Sequence, residues 1–100
     1  MRLEAVRLET MAVRRSAMVQ VQASERRLEA AEQGEAAASE AYRLGRIGYD
    51  SGKTALLELL AIRRALSEAQ ASTIDAHLSR VRALATLSLA EGRNVFGEAP

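Results

Sequence analysis

An all-α chain, folded as one long antiparallel helical hairpin with coiled-coil packing and no barrel strands, follows from three features of these 100 residues. Two stretches are dominated by Ala, Arg, Glu, Leu, Met and Gln, the strongest helix formers, and contain no internal proline. Apolar residues recur in both at spacings of three, four and seven. Glycines gather between the two stretches, at Gly45, Gly48 and Gly52. Composition agrees with long helices rather than a thick core. Hydrophobic residues make up 48% of the chain, yet it has one Phe, two Tyr and no Trp, and aromatic side chains normally supply the largest buried areas. Small side chains must therefore carry the packing, which brings helices close together.

The first helix is expected over 1–46. Leu8, Met11, Met18, Val21, Leu28, Ala31, Ala38 and Tyr42 form its main apolar seam, and Leu3, Val6, Val13 and Ala17 run beside it. Gly34 weakens this helix by about 1 kcal/mol relative to alanine and marks a candidate close crossing. The turn is expected over 47–53. Gly48 and Gly52 give it a permissive backbone, and Asp50 and Ser51 offer local side-chain hydrogen bonds to its N–H groups.

The second helix is expected over 54–91, opening at Ser51 or Thr54 and stopping at Gly92. No capping-box acid follows Thr54, but Glu58 sits in the first turn, where the helix dipole favours a negative charge. Two seams run along this helix. One is Leu59, Ile62, Leu66, Ala69, Thr73, Ala76, Ala83, Leu87 and Ala90; the other is Leu57, Leu60, Ser67, Ala71, Ile74, Leu78, Val81 and Ala85. A two-stranded coiled coil needs one seam, so two seams mean two neighbours. The remainder, 92–100, reads as a loosely ordered tail.

Several function classes are excluded or weakened. The net charge is +1 with 27% charged residues, and the two signs alternate, which describes a solvated helical surface and not a nucleic-acid stripe. Without cysteine there is no disulfide and no thiolate metal site. No apolar run is long enough to cross a membrane as a helix. "MRLEAVRLETMAVRR" is charged throughout and does not read as a signal peptide.

Gly52-Lys53-Thr54 invites a phosphate-loop reading, which needs a glycine five residues before Gly52; that position is Ile47, and no strand precedes it. His77 is the only histidine, and Asp75 two residues away points elsewhere on a helix, so no metal site is assigned. Met11 and Met18 read as seam packing, and the Arg63-Arg64 pair as a solvated flank as much as a partner patch. No constellation for catalysis or cofactor binding is present, and the chain is read as no enzyme.

The run Tyr42-Arg43-Leu44-Gly45-Arg46-Ile47-Gly48-Tyr49-Asp50-Ser51-Gly52-Lys53, then Leu56-Leu57-Glu58-Leu59-Leu60, Arg64, Leu66 and Glu68-Ala69-Gln70, resembles the periplasmic hairpin tip of TolC-type outer membrane efflux proteins. The likeness is greatest to their heavy-metal, cobalt-zinc-cadmium branch. Where many members carry Asp-Ala-Gln-Arg after the leucines, this chain has Ala61-Ile62-Arg63-Arg64.

The resemblance implies a homotrimeric channel whose twelve-helix periplasmic tube stands under an outer membrane barrel. It implies that the tip, here Tyr49, Gly52, Lys53, Leu56, Leu57, Glu58 and Leu60, meets a periplasmic adaptor protein, with Gly45, Gly48, Asp50 and Ser51 shaping the turn. The adaptor in turn leads to a pump of the resistance-nodulation-division class. On this reading the chain is a C-terminal piece of such a channel, without signal peptide or barrel. The competing expectation is a free-standing helical hairpin that oligomerises through its second seam.

Overall fold

The computed structural model describes residues 2–98, with side-chain surroundings for 2–92. It contains two helices, α1 (Arg2–Asp50) and α2 (Leu56–Glu98), joined by 51–55, and no strand among the described residues. The hairpin expected from the sequence is the architecture found.

Its boundaries differ from the expected ones for a physical reason. α1 continues through Gly48 to Asp50, because the helix stops at the residue that leaves right-handed backbone, and that residue is Gly52, with φ of 79°. α2 opens at Leu56 and passes through Gly92 to Glu98. A glycine inside a helix costs about 1 kcal/mol but does not end it unless the chain turns left-handed there. The loose tail expected over 92–100 thus falls largely on this helix; Ala99 and Pro100 lie outside the described residues, as do the surroundings of Phe96.

The chain divides into two compact units, Arg27–His77 and a second made of Met1–Arg26 with Leu78–Pro100. In Arg27–His77, α1 turns Leu28, Ala31, Glu35, Ala38, Tyr42 and Gly45 inward at alternating steps of three and four. α2 answers with Leu59, Ile62, Leu66, Ala69, Thr73 and Ala76, which is its first expected seam. Leu28, Gly45, Thr73 and Ala76 are buried, Ala76 to 3% exposure. The Thr73 hydroxyl lies 3.1 Å from the Ala69 carbonyl of its own helix and 3.3 Å from the Ala31 carbonyl of α1. Only helices packed through small side chains let a hydroxyl on one reach the backbone of the other.

In the second unit the buried residues are Ala17, Val21 and Ser24 on α1 and Ala83 and Ala90 on α2, with Thr10 and Leu87 half-buried. Arg14 and Glu91 approach to 3.9 Å across the helices. Here the expected α1 seam is corrected. Leu8, Met11 and Met18 are exposed, as are Leu3, Val6 and Val13 of its companion set, and only Ala17 of that set is buried. The heptad that buries Leu28 and Ala31 extends backwards through Ser24, Val21, Ala17 and Thr10. Close contact selects those small residues, and the large ones fall on the flanks.

Candidate functional site

The tip of the hairpin is built around one carbonyl. The Gly48 oxygen accepts the N–H of Lys53 at 2.7 Å, the N–H of Thr54 at 3.0 Å and the hydroxyl of Ser51 at 3.1 Å. Gly52 N–H donates to the Tyr49 carbonyl at 3.0 Å and Ser51 N–H to that of Ile47 at 3.1 Å. The bonds from Lys53 and Gly52, with Gly52 left-handed between them, are a Schellman cap of α1. Ser51 was expected to accept from turn N–H groups; it donates instead, and Asp50 is simply the last residue of α1.

Two glycines sit where a side chain would be crowded, Gly48 more severely than Gly45, whose near neighbour is the movable end of Ile62. A Cβ on Gly48 would collide with the Thr54 side chain, and one on Gly45 would come within 2.9 Å of Ile62 Cδ1 and 3.5 Å of Leu59 Cδ1. These contacts tie the end of α1 to the start of α2. Thr54, expected as a helix cap, instead packs on Gly48, and the first bond of α2 runs from Leu59 N–H to the Ala55 carbonyl at 3.0 Å. The phosphate-loop reading fails on the same geometry. The N–H groups of 51–54 are spent on α1 carbonyls and none is left to cradle an anion.

Of the tip residues singled out by the sequence, Tyr49, Gly52, Lys53, Leu56, Leu57, Glu58 and Leu60 are all exposed, Leu57 to 81%. They crowd one end of the Arg27–His77 unit. Leu44 and Ile47 are exposed there too, and the sequence reading did not single them out as contact residues. Their signal was present: both fall outside the register of the buried α1 seam while remaining large and apolar. The tip therefore offers uncovered apolar side chains on a backbone fixed by its own hydrogen bonds.

Electrostatics near the tip is local. Arg43 donates to both carboxylate oxygens of Glu40, from Nε at 3.0 Å and Nη2 at 2.6 Å. These hydrogen bonds, and then the Arg43 charge, hold the Glu40 carboxyl below its usual range, and the same partner raises Arg43. Arg63 reaches from α2 to α1, with Nη1 3.4 Å from the Tyr42 hydroxyl and its guanidinium 5.9 Å from the ring centre. Further along, His77 Nε2 lies 3.8 Å from Glu32 Oε1. That partner was invisible in the sequence, where only Asp75 was near. Among the described residues no three His, Asp or Glu side chains converge as a metal site, and no helix is long and apolar enough to cross a membrane.

The second α2 seam is free. In Arg27–His77, Leu57, Leu60, Ser67, Ala71 and Ile74 are exposed, and in the other unit Leu78, Val81 and Ala85 are exposed on the same register. α2 is thus a helix with one seam filled by α1 and another left open.

Comparison with known proteins bears directly on a helix of this kind. Residues 1–93 match the family described as outer membrane efflux protein. The chain is also similar to the nickel-cobalt-cadmium resistance protein NccC of Alcaligenes xylosoxydans xylosoxydans, at 62% identity over 97 residues. That alignment covers 97% of this chain and 22% of the relative, so the chain spans about a fifth of the relative's length. No solved structure matches it. With the match running over both helices and the tip between them, the chain belongs to the outer membrane efflux protein family.

Proposed function

We propose that this hairpin is a periplasmic segment of the wall of an outer membrane efflux channel, a homotrimeric tube in which helices stand side by side. The observation that carries the reading is the open second seam of α2. A helix with one partner needs one apolar seam, whereas two seams of equal period suit a helix held between two others, as in the wall of a tube. Family membership and the likeness to NccC support the same reading. The relative is named for resistance to nickel, cobalt and cadmium, and the cargo class extended to this chain is divalent heavy-metal cations.

The tip is the docking point. Tyr49, Gly52, Lys53, Leu56, Leu57, Glu58 and Leu60 meet the periplasmic adaptor, which links the channel to an inner-membrane pump of the resistance-nodulation-division class. The exposed leucines supply apolar contact, and the Schellman cap fixes the turn backbone beside them, which lowers the ordering cost of binding. The hairpin's work is structural and gating, and it transforms no substrate.

The test is sedimentation of the chain, alone and mixed with the tip hairpin of the cognate adaptor. A complex is expected, lost on Leu57→Glu, which charges the most exposed tip leucine, and on Gly52→Pro, whose ring forbids the positive φ of the cap. A stable oligomer that ignores the adaptor overturns the docking role in favour of a free-standing interaction protein.

A further inference from the structure

Within Arg27–His77, α2 carries two seams of the same period, and a heptad has seven positions. The filled seam of Leu59, Ile62, Leu66, Ala69, Thr73 and Ala76 occupies two of them. The open seam of Leu57, Leu60, Ser67, Ala71 and Ile74 occupies two more. Three rows remain, and they divide unequally. Arg63, Gln70 and His77 form a single row between the seams on one side. On the other side lie two rows, Ala61, Glu68 and Asp75 beside Glu58, Ala65 and Ser72.

At roughly 100° per residue, the seams are therefore about 150° apart across the single row and about 210° apart across the double one. This asymmetry fixes a direction. A helix standing in a closed ring touches its two neighbours along lines that subtend less than a straight angle on the side facing the centre. The single row is on that side.

We infer that Arg63, Gln70 and His77 face the interior of the tube and that Glu68 and Asp75 face its outside. The inference rests on the tube-wall function proposed above and adds to it which side chains the cargo passes. A second observation agrees with it. The cross-helix side-chain pairs of this unit, Arg63 with Tyr42 and His77 with Glu32, both use single-row residues, so Glu32 and the hydroxyl edge of the half-buried Tyr42 border that face. The interior lining is then polar and internally paired, which suits a water-filled passage.

The experiment uses single cysteines in the assembled channel that carries this hairpin; the hairpin itself has none. Gln70→Cys and His77→Cys are compared with Glu68→Cys and Asp75→Cys, all at exposed positions that leave the filled seam untouched. Single-channel conductance in a planar bilayer is recorded before and after a charged methanethiosulfonate reagent. A loss of conductance at 70 and 77, with none at 68 and 75, is expected. The reverse pattern overturns the row assignment while leaving the tube intact. Labelling at all four positions with no change in conductance also overturns it. A preparation that forms no conducting oligomer removes the tube reading itself, and the inference with it.

Discussion

The two halves of α1 differ in what they leave uncovered. In the unit built from the chain ends, α1 exposes Leu3, Val6, Leu8, Met11, Val13, Met18 and Val19. In Arg27–His77 it exposes Leu44, Ile47 and Tyr49 as large apolar side chains, all close to the turn. The first set occupies several faces of the helix, a pattern that normally belongs to a helix surrounded by protein. The second is confined to the candidate docking end. Apolar content therefore says little about where this hairpin packs on itself. The first half has more large apolar residues, yet each half buries one, Val21 in the first and Leu28 in the second.

The largest expected effect tests that contrast directly. Leu28→Ala removes a buried seam residue of Arg27–His77 and should cost roughly 2–4 kcal/mol in urea unfolding of the chain followed by circular dichroism. Met11→Ala removes a residue of similar size from an exposed flank and should stay within about 0.5 kcal/mol. Equal losses would mean that Met11 has a packing partner and that the two halves do not differ as described.

The same contrast explains how far the sequence could be read. All nine residues expected in the first α2 seam, from Leu59 to Ala90, are buried or half-buried, because along that helix nearly every residue in register is apolar or small, the half-buried Arg80 excepted. Val21, Leu28, Ala31, Ala38 and Tyr42 were legible on α1 for the same reason. The error began before Val21, where Met18 and Met11 continue an apolar pattern one position away from Ala17 and Thr10. Periodicity weighted by hydrophobicity follows the methionines, while close packing follows the small residues. At the tip, the glycines were recognised as turn-forming, but the three bonds on the Gly48 carbonyl depend on where the chain returns, and no local pattern encodes that. The Glu32–His77 and Tyr42–Arg63 contacts were hidden likewise, since they follow from the pairing register of the two helices.

A smaller effect is expected at the turn. Gly48→Ala gains up to about 1 kcal/mol of helix propensity but drives its Cβ into Thr54, so the net cost should be about 1–2 kcal/mol. Adding Thr54→Gly removes the colliding side chain and should recover part of that loss, measured in the same urea experiment. If Gly48→Ala alone proves neutral or stabilising, the tip is more yielding than its hydrogen bonds imply, and a rigid docking end is the wrong description.

The smallest effect separates packing from charge as the source of the difference between the units. Glu40 and Arg43, on α1 in Arg27–His77, are joined by two hydrogen bonds, whereas Arg14 and Glu91 in the other unit stand 3.9 Å apart, too far for one. The Glu40 carboxyl is held below its usual range by the Arg43 bonds, so folding favours its charged form. The pair's contribution is then fully present above the ordinary carboxylate range and is lost as pH falls through the lowered value of the folded state. Both side chains are exposed, so the contribution is small and screened by salt. Thermal melting of the wild-type chain and Glu40→Gln should differ slightly near neutral pH and converge in acid. Glu91→Gln should match the wild type throughout that range. A difference that persists in acid would assign the Glu40 effect to helix propensity, and the contrast between the two units would then rest on packing alone.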